Sequence, residues 1–80
     1  MKIRVDVMLK SGVLDPQGKA VEHALSNLGF KGASNVRIGK AIVFDMEGTD
    51  EAKINASVTE MCEKLLANTV IEEYKINTKV

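Results

Sequence analysis

The side chains able to carry chemistry are few, and their settings limit what they can do. His23 is the only histidine and Cys62 the only cysteine. His23 stands beside the apolar stripe of a helix read from "DPQGKAVEHALSNLG", which suits a partly exposed structural histidine better than a general base. Cys62 falls inside the apolar stripe of a second helix. A thiol there is buried and inert, and apart from the neighbourhood of Lys64 no cation at helical spacing lowers its pKa. Carboxylates are plentiful but scattered, and no serine has a histidine and an acid in a recognisable setting. Arg37 and Lys40 flank Gly39 and could bind an anion, or could form the polar side of a strand.

One stretch raises a positive question. "GVLDPQG", residues 12–18, is a glycine-bearing loop that opens a helix, and such loops can cradle phosphate. This one lacks both G-x-x-x-x-G-K-[ST] and G-x-G-x-x-G. Asp15 is instead a good N-cap, its carboxylate accepting from the orphan amides of the first turn. Pro16 follows at the first helical position, where a missing N–H costs nothing. An anionic cap competes with phosphate for the same amides, so "LDPQG" reads as a helix start. Gly18 is left over, since glycine inside the first turn costs about 1 kcal/mol relative to alanine. A close backbone approach, for example by a partner chain, would account for it.

The elements that position these residues follow from periodicity. Ile3, Val5, Val7 and Leu9 alternate with polar residues and predict a half-buried strand that Gly12 ends. Residues 15–28 predict a helix with Val21, Ala24, Leu25 and Leu28 on one face, stopped by Gly29. In "NVRIGKAIVFDMEG", Val36, Ile38, Ile42, Phe44 and Met46 share a face interrupted only by Lys40. Read as one strand it runs about a dozen residues, roughly 40 Å at ~3.3 Å per residue. A compact domain of this length is only about 25–30 Å across. Such a strand, kinked at Gly39, should protrude and be paired by another copy of the chain. A hairpin split at Gly39-Lys40 is the alternative, and it leaves two apolar faces. Thr49 or Asp50 caps a second helix carrying Ile54, Val58, Met61, Cys62 and Leu65, with Leu66 beside them, and a left-handed Asn68 ends it. "VIEEYKINTKV" closes the chain as a strand, with Tyr74 and Ile76 expected on opposite faces. The fold expected is α+β, ferredoxin-like, in β-α-β-α-β order, with an antiparallel sheet and both helices on one face.

Eighty residues make a single domain, residues 1–80, with a thin core. A lone cysteine excludes an internal disulfide, and Cys62 and His23 lie too far apart for a cysteine-based metal site. Stability must then come from packing or self-association. Eleven basic residues balance eleven acidic ones, so nothing points to nucleic acid. The start "MKIRVDVMLK" alternates instead of forming an apolar run, so no signal peptide is expected. No apolar stretch nears the ~18 residues of a membrane span. A soluble cytoplasmic protein is expected. On chemistry alone it is either a subunit or adaptor, or a small-ligand-binding regulatory dimer of ferredoxin-like type.

The strings "LKSGVLDPQGKAVEHALSNLGF", "VRIGKAIVFD" and "CEKLLANTVIEEYKI" resemble the PurS family, the small subunits of phosphoribosylformylglycinamidine synthase. The resemblance spans essentially the whole chain and is strongest at "GVLDPQG" and "VRIGK". The family usually has Asn-Pro before the last strand, where this chain has Asn68-Thr69, a less rigid turn. The resemblance implies a non-catalytic subunit of an ATP-dependent, glutamine-hydrolysing C–N ligase of de novo purine synthesis. It would bridge the large synthetase subunit PurL and the glutaminase subunit PurQ and assist ammonia transfer. It implies no cofactor for this chain, ATP and Mg on the large subunit, and a segment-swapped homodimer or a tetramer. No nucleic acid or membrane is implied. Asp15, Pro16, Gln17, Gly18, Arg37, Gly39 and Lys40 would then lie on a partner or assembly surface.

Overall fold

The alternation in "KIRVDVML" becomes β1 (Lys2–Leu9), whose Ile3, Val5 and Val7 are fully buried. The structure is a computed structural model that describes residues 1–78; the last two residues of the expected closing strand lie outside them. β1 is the middle strand of an antiparallel sheet ordered β2–β1–β3, with β2 (Lys40–Asp45) and β3 (Glu72–Asn77) at its sides. Ile3 pairs with Phe44, Val5 with Ile42 and Ile76, and Val7 with Tyr74. Directly opposed residues share a face. Tyr74 and Ile76 therefore both face the core, not opposite sides as expected, because two residues are one full strand period.

α2 (Glu51–Met61) covers that face with Ile54 and Val58, and Cys62 and Ala67 complete the buried cluster. Each such aliphatic side chain contributes about 1.5–3 kcal/mol. Asp50, not Thr49, caps the helix, accepting from the amides of Ala52 (3.1 Å) and Lys53 (3.3 Å). The element order, β-α-β-α-β, is the expected one.

The end of α2 departs from expectation. Cys62–Leu66 form a π turn, with the Ala67 amide donating to the Cys62 carbonyl at 3.1 Å. The wider turn rotates the following side chains. Leu65, expected on the apolar stripe, is 82 % exposed, and Ala67 takes the buried place. Asn68 does not adopt the left-handed conformation, and among the described residues the only non-glycine with positive φ is Asn35. Asn68 instead nucleates the turn into β3, its carbonyl accepting from the amides of Ile71 and Glu72.

The second strand is shorter than a dozen residues. Only Lys40–Asp45 pair in the sheet, and no hairpin forms at Gly39-Lys40. Residues 36–39 lead into β2 without a ladder partner. The expected alternation still holds through them: Val36, Ile38, Ile42, Phe44 and Met46 are half-buried, and the residues between them, Lys40 included, are exposed.

α1 (Pro16–Asn27) forms as expected, between Asp15 as N-cap and Gly29 at φ +98°. It contributes no side chain to the core. Its apolar face is open, with Leu28 73 % and the following Phe30 62 % exposed. The molecule measures 48 × 25 × 14 Å with a radius of gyration of 15.9 Å, against about 12 Å for a compact chain of this length. The protrusion expected of the second strand is instead that of an uncovered helix.

Candidate functional site

The two stretches that stood out in sequence, "GVLDPQG" and "VRIGK", meet in space. Asp15 joins them. Its Oδ1 accepts from the Gly18 amide at 2.8 Å, the N-cap bond, and its Oδ2 accepts from the Ile38 amide at 2.8 Å. It is the one buried charged side chain among the described residues. The Ile38 amide above all, then that of Gly18, holds its carboxyl below the usual carboxylate range, with the Arg37 guanidinium adding to the effect. Two turns on, Glu22 accepts from the Val36 amide at 3.1 Å. Arg37 reaches the other way, donating to the carbonyls of Leu9 and, at 3.3 Å, Lys10. The segment that enters β2 is thus tied to α1 through alternate amides and to the end of β1 through a guanidinium.

These ties demand close packing of backbone, and both glycines serve it. A Cβ on Gly18 would collide with the Val36 carbonyl. The close approach expected at Gly18 is therefore made by the chain's own 36–39 segment, with no partner chain needed. A Cβ on Gly39 would collide with the Met8 side chain and lie 2.6 Å from the Val7 carbonyl. Pro16 occupies the first helical position.

Five of the seven expected site residues, Asp15, Pro16, Gly18, Arg37 and Gly39, thus build one junction. Gln17 and Lys40 have no such task. Both are exposed, and neither side chain makes a hydrogen bond or ion pair to the described residues. Glu22 was not anticipated. The signal was present in its spacing, since positions 15, 18 and 22 fall on one helical face.

The arrangement does not cradle phosphate, because the Gly18 amide is already taken by Asp15. His23 is exposed. Cys62 is buried, and burial first, then the Glu63 charge, pushes its thiol up. Among the described residues no three His, Cys, Asp or Glu side chains are placed to hold a metal ion, and no helix is long and apolar enough to cross a membrane.

A pH dependence follows from the Asp15 clamp. Its folded pKa lies below the unfolded value of 3.8. The stabilisation is therefore complete above the unfolded value and lost as pH falls through the folded one. Asp15→Asn is expected to lower the melting temperature by several degrees near neutrality. The gap to wild type should close as pH falls from above the unfolded value through the folded one. Melting curves of both proteins across that range check it, and a gap independent of pH would remove the charge from the explanation.

Residues 2–80 match the PurS family, described as phosphoribosylformylglycinamidine (FGAM) synthase. The chain is 51% identical over 74 residues to the phosphoribosylformylglycinamidine synthase subunit PurS of Bacillus subtilis (strain 168), covering 92% of this chain and 87% of that one. The crystal structure of Methanocaldococcus jannaschii PurS, one of the subunits of formylglycinamide ribonucleotide amidotransferase in the purine biosynthetic pathway, superposes with a TM-score of 0.88. It is 44% identical, and the match covers 99% of this chain and 96% of that one. A chain of the PurLQS structure from Thermotoga maritima superposes with a TM-score of 0.87 at 34% identity, covering 95% of this chain and 93% of that one.

Proposed function

The chain belongs to the PurS family of phosphoribosylformylglycinamidine synthase subunits, and from that premise we propose how it serves the enzyme. It is a subunit of FGAM synthase in purine biosynthesis, and the match over residues 2–80 carries this conclusion. Within the complex it joins the synthetase subunit PurL to the glutaminase subunit PurQ and assists the passage of ammonia between them. ATP and magnesium are held by PurL, and this chain needs no cofactor. The complex works in the cytoplasm. The fold shared with a chain of the Thermotoga PurLQS structure supports the bridging role.

The chain acts as a segment-swapped homodimer, with pairing of dimers into a tetramer as the further step. Three features support this. The apolar face of α1 is uncovered in a single chain. The core-facing side of β2, Ile42 and Phe44, is only half-buried. The amides of Arg37 and Gly39 have no backbone partner among the described residues, so the segment offers an open strand edge. A second copy supplies a sheet for the helix and a helix for the sheet.

Reconstitution tests the assignment. With cognate PurL and PurQ, omission of this chain is expected to abolish glutamine-dependent product formation while leaving activity from added ammonia largely intact. Full glutamine-dependent rate without it would overturn the bridging role.

A further inference from the structure

Two hollows on the polar side of α1 share a wall. One, of about 470 Å³, lies between the loop that opens the helix and the segment that enters β2, with Val13, Leu14, Asn35 and Val36 in its lining. The other, also of about 440 Å³, is lined by Lys19, Glu22, His23, Ser26 and Lys31. Lys19 and Glu22 belong to both. Each volume falls in the range of roughly 300–1,000 Å³ usual for small-molecule sites. By helical geometry Lys19, His23 and Ser26 fall within about 60° of one another round α1, and Val21 and Leu28 stand on the opposite side. A second copy that covers the apolar face of α1 therefore leaves this side open. The strand edge offered to that copy is also elsewhere, because the amides of Val36 and Ile38 are bound to Glu22 and Asp15, and the open ones are those of Arg37 and Gly39.

The two hollows differ in chemistry. In the second, Lys19 and Lys31 stand against a single carboxylate, Glu22, whose Oε1 already accepts from the Val36 amide at 3.1 Å. Lys31 Nζ donates to Ser26 Oγ at 3.3 Å, which sets an ammonium and a hydroxyl donor side by side. Lys19 and His23 make no side-chain hydrogen bond or ion pair to the described residues. The first hollow is largely apolar. Asp15 in its wall has both carboxylate oxygens engaged by amides, and the Arg37 guanidinium beside it offsets its charge.

We propose that the joined hollows bind a nucleoside monophosphate. The phosphate lies in the second hollow and accepts from the Lys19 and Lys31 ammonium groups and the Ser26 hydroxyl, the first two as charge-assisted bonds. The base lies against Val13, Leu14 and Val36, where the Asn35 amide can pair with its edge. Glu22, common to both hollows, stands between them, where the ribose must lie. A carboxylate accepts from ribose hydroxyls, as it does in dinucleotide sites, and Glu22 Oε2 serves that purpose while Oε1 holds the Val36 amide. The one acid of the cationic hollow thus has a task. The same acid disfavours an acidic peptide, whose carboxylates would meet it with like charge. The site is separate from the start of α1, where the Gly18 amide is taken by Asp15.

The experiment titrates the isotope-labelled protein with AMP, ribose 5-phosphate and inorganic phosphate while amide resonances are followed by NMR. AMP is expected to shift the amides of residues 12–14 together with those of the second hollow. The other two probes should shift only the second set and bind about tenfold more weakly than AMP. Lys19→Glu and Lys31→Glu should each weaken all three probes by about tenfold. Leu14→Ser should bring AMP down to the level of ribose 5-phosphate and leave phosphate binding as it was. All three substituted residues are exposed, so mass and melting temperature should match wild type. No response to AMP at millimolar concentration would overturn the site. So would AMP binding that both lysine variants retain, because the nucleotide would then sit elsewhere. Phosphate binding as tight as AMP, with Leu14→Ser neutral, would also overturn it by reducing the cleft to an unselective anion patch. None of these results bears on the subunit reading, which rests on the family match.

Discussion

Leu28→Asp is expected to turn a dimer into a monomer or an unfolded chain. Wild type should sediment at micromolar concentration as a dimer or larger, with no folded monomer. The reason is the open face of α1. Leu28 and Phe30 are largely exposed in one chain, and no residue of α1 reaches the core. Burying a leucine contributes about 1.5–3 kcal/mol. Two-fold symmetry counts each residue twice. One substitution then removes about 3–6 kcal/mol, roughly a hundredfold to ten-thousandfold in dissociation constant. A carboxylate buried in its place adds a desolvation penalty. Sedimentation velocity and circular dichroism on both proteins check this. If the chain works alone, the same substitution merely replaces an exposed leucine with an exposed aspartate, and mass and melting curve stay as they were. That outcome would also remove the account of the half-buried residues on β2.

Gly18→Ala is the second large effect, and its sign separates two arguments. Helix propensity alone favours alanine over glycine inside α1 by about 1 kcal/mol. The structure predicts the opposite, because the new Cβ would collide with the Val36 carbonyl and backbone cannot yield as a flexible side chain can. Displacing the 36–39 segment would also draw the Ile38 amide from Asp15. Overpacking of this kind costs about 1–3 kcal/mol net. For a chain of this size that is a fall of roughly 4–20 °C in melting temperature. The effect should be less than additive with Asp15→Asn, since both act on one junction. A variant as stable as wild type, or more so, would show that the two segments are not held together in solution.

The residues of the junction show what each level of information decides. Asp15 as a cap, Pro16 at the first turn and Gly29 as a stop were legible because capping is local: donor and acceptor are three residues apart. The strands were legible because burial on one face of a sheet imposes period two on "KIRVDVML" and "IVFDM". The second bond of Asp15, to an amide 23 residues away, carried no such signal. Neither did the reason for Gly18, which lies in the Val36 carbonyl and not in the helix that contains the glycine. Leu65 was misplaced for the same kind of reason. The apolar stripe assumes 3.6 residues per turn, and one π turn is enough to carry a side chain from the core to solvent. By itself the sequence determined the order and kind of the elements, the core-facing residues of the central strand and the membership of a family. Only the tertiary structure decided that the two signature stretches form one junction and that α1 is left uncovered. Those facts depend on contacts between distant segments, whose geometry no local periodicity encodes.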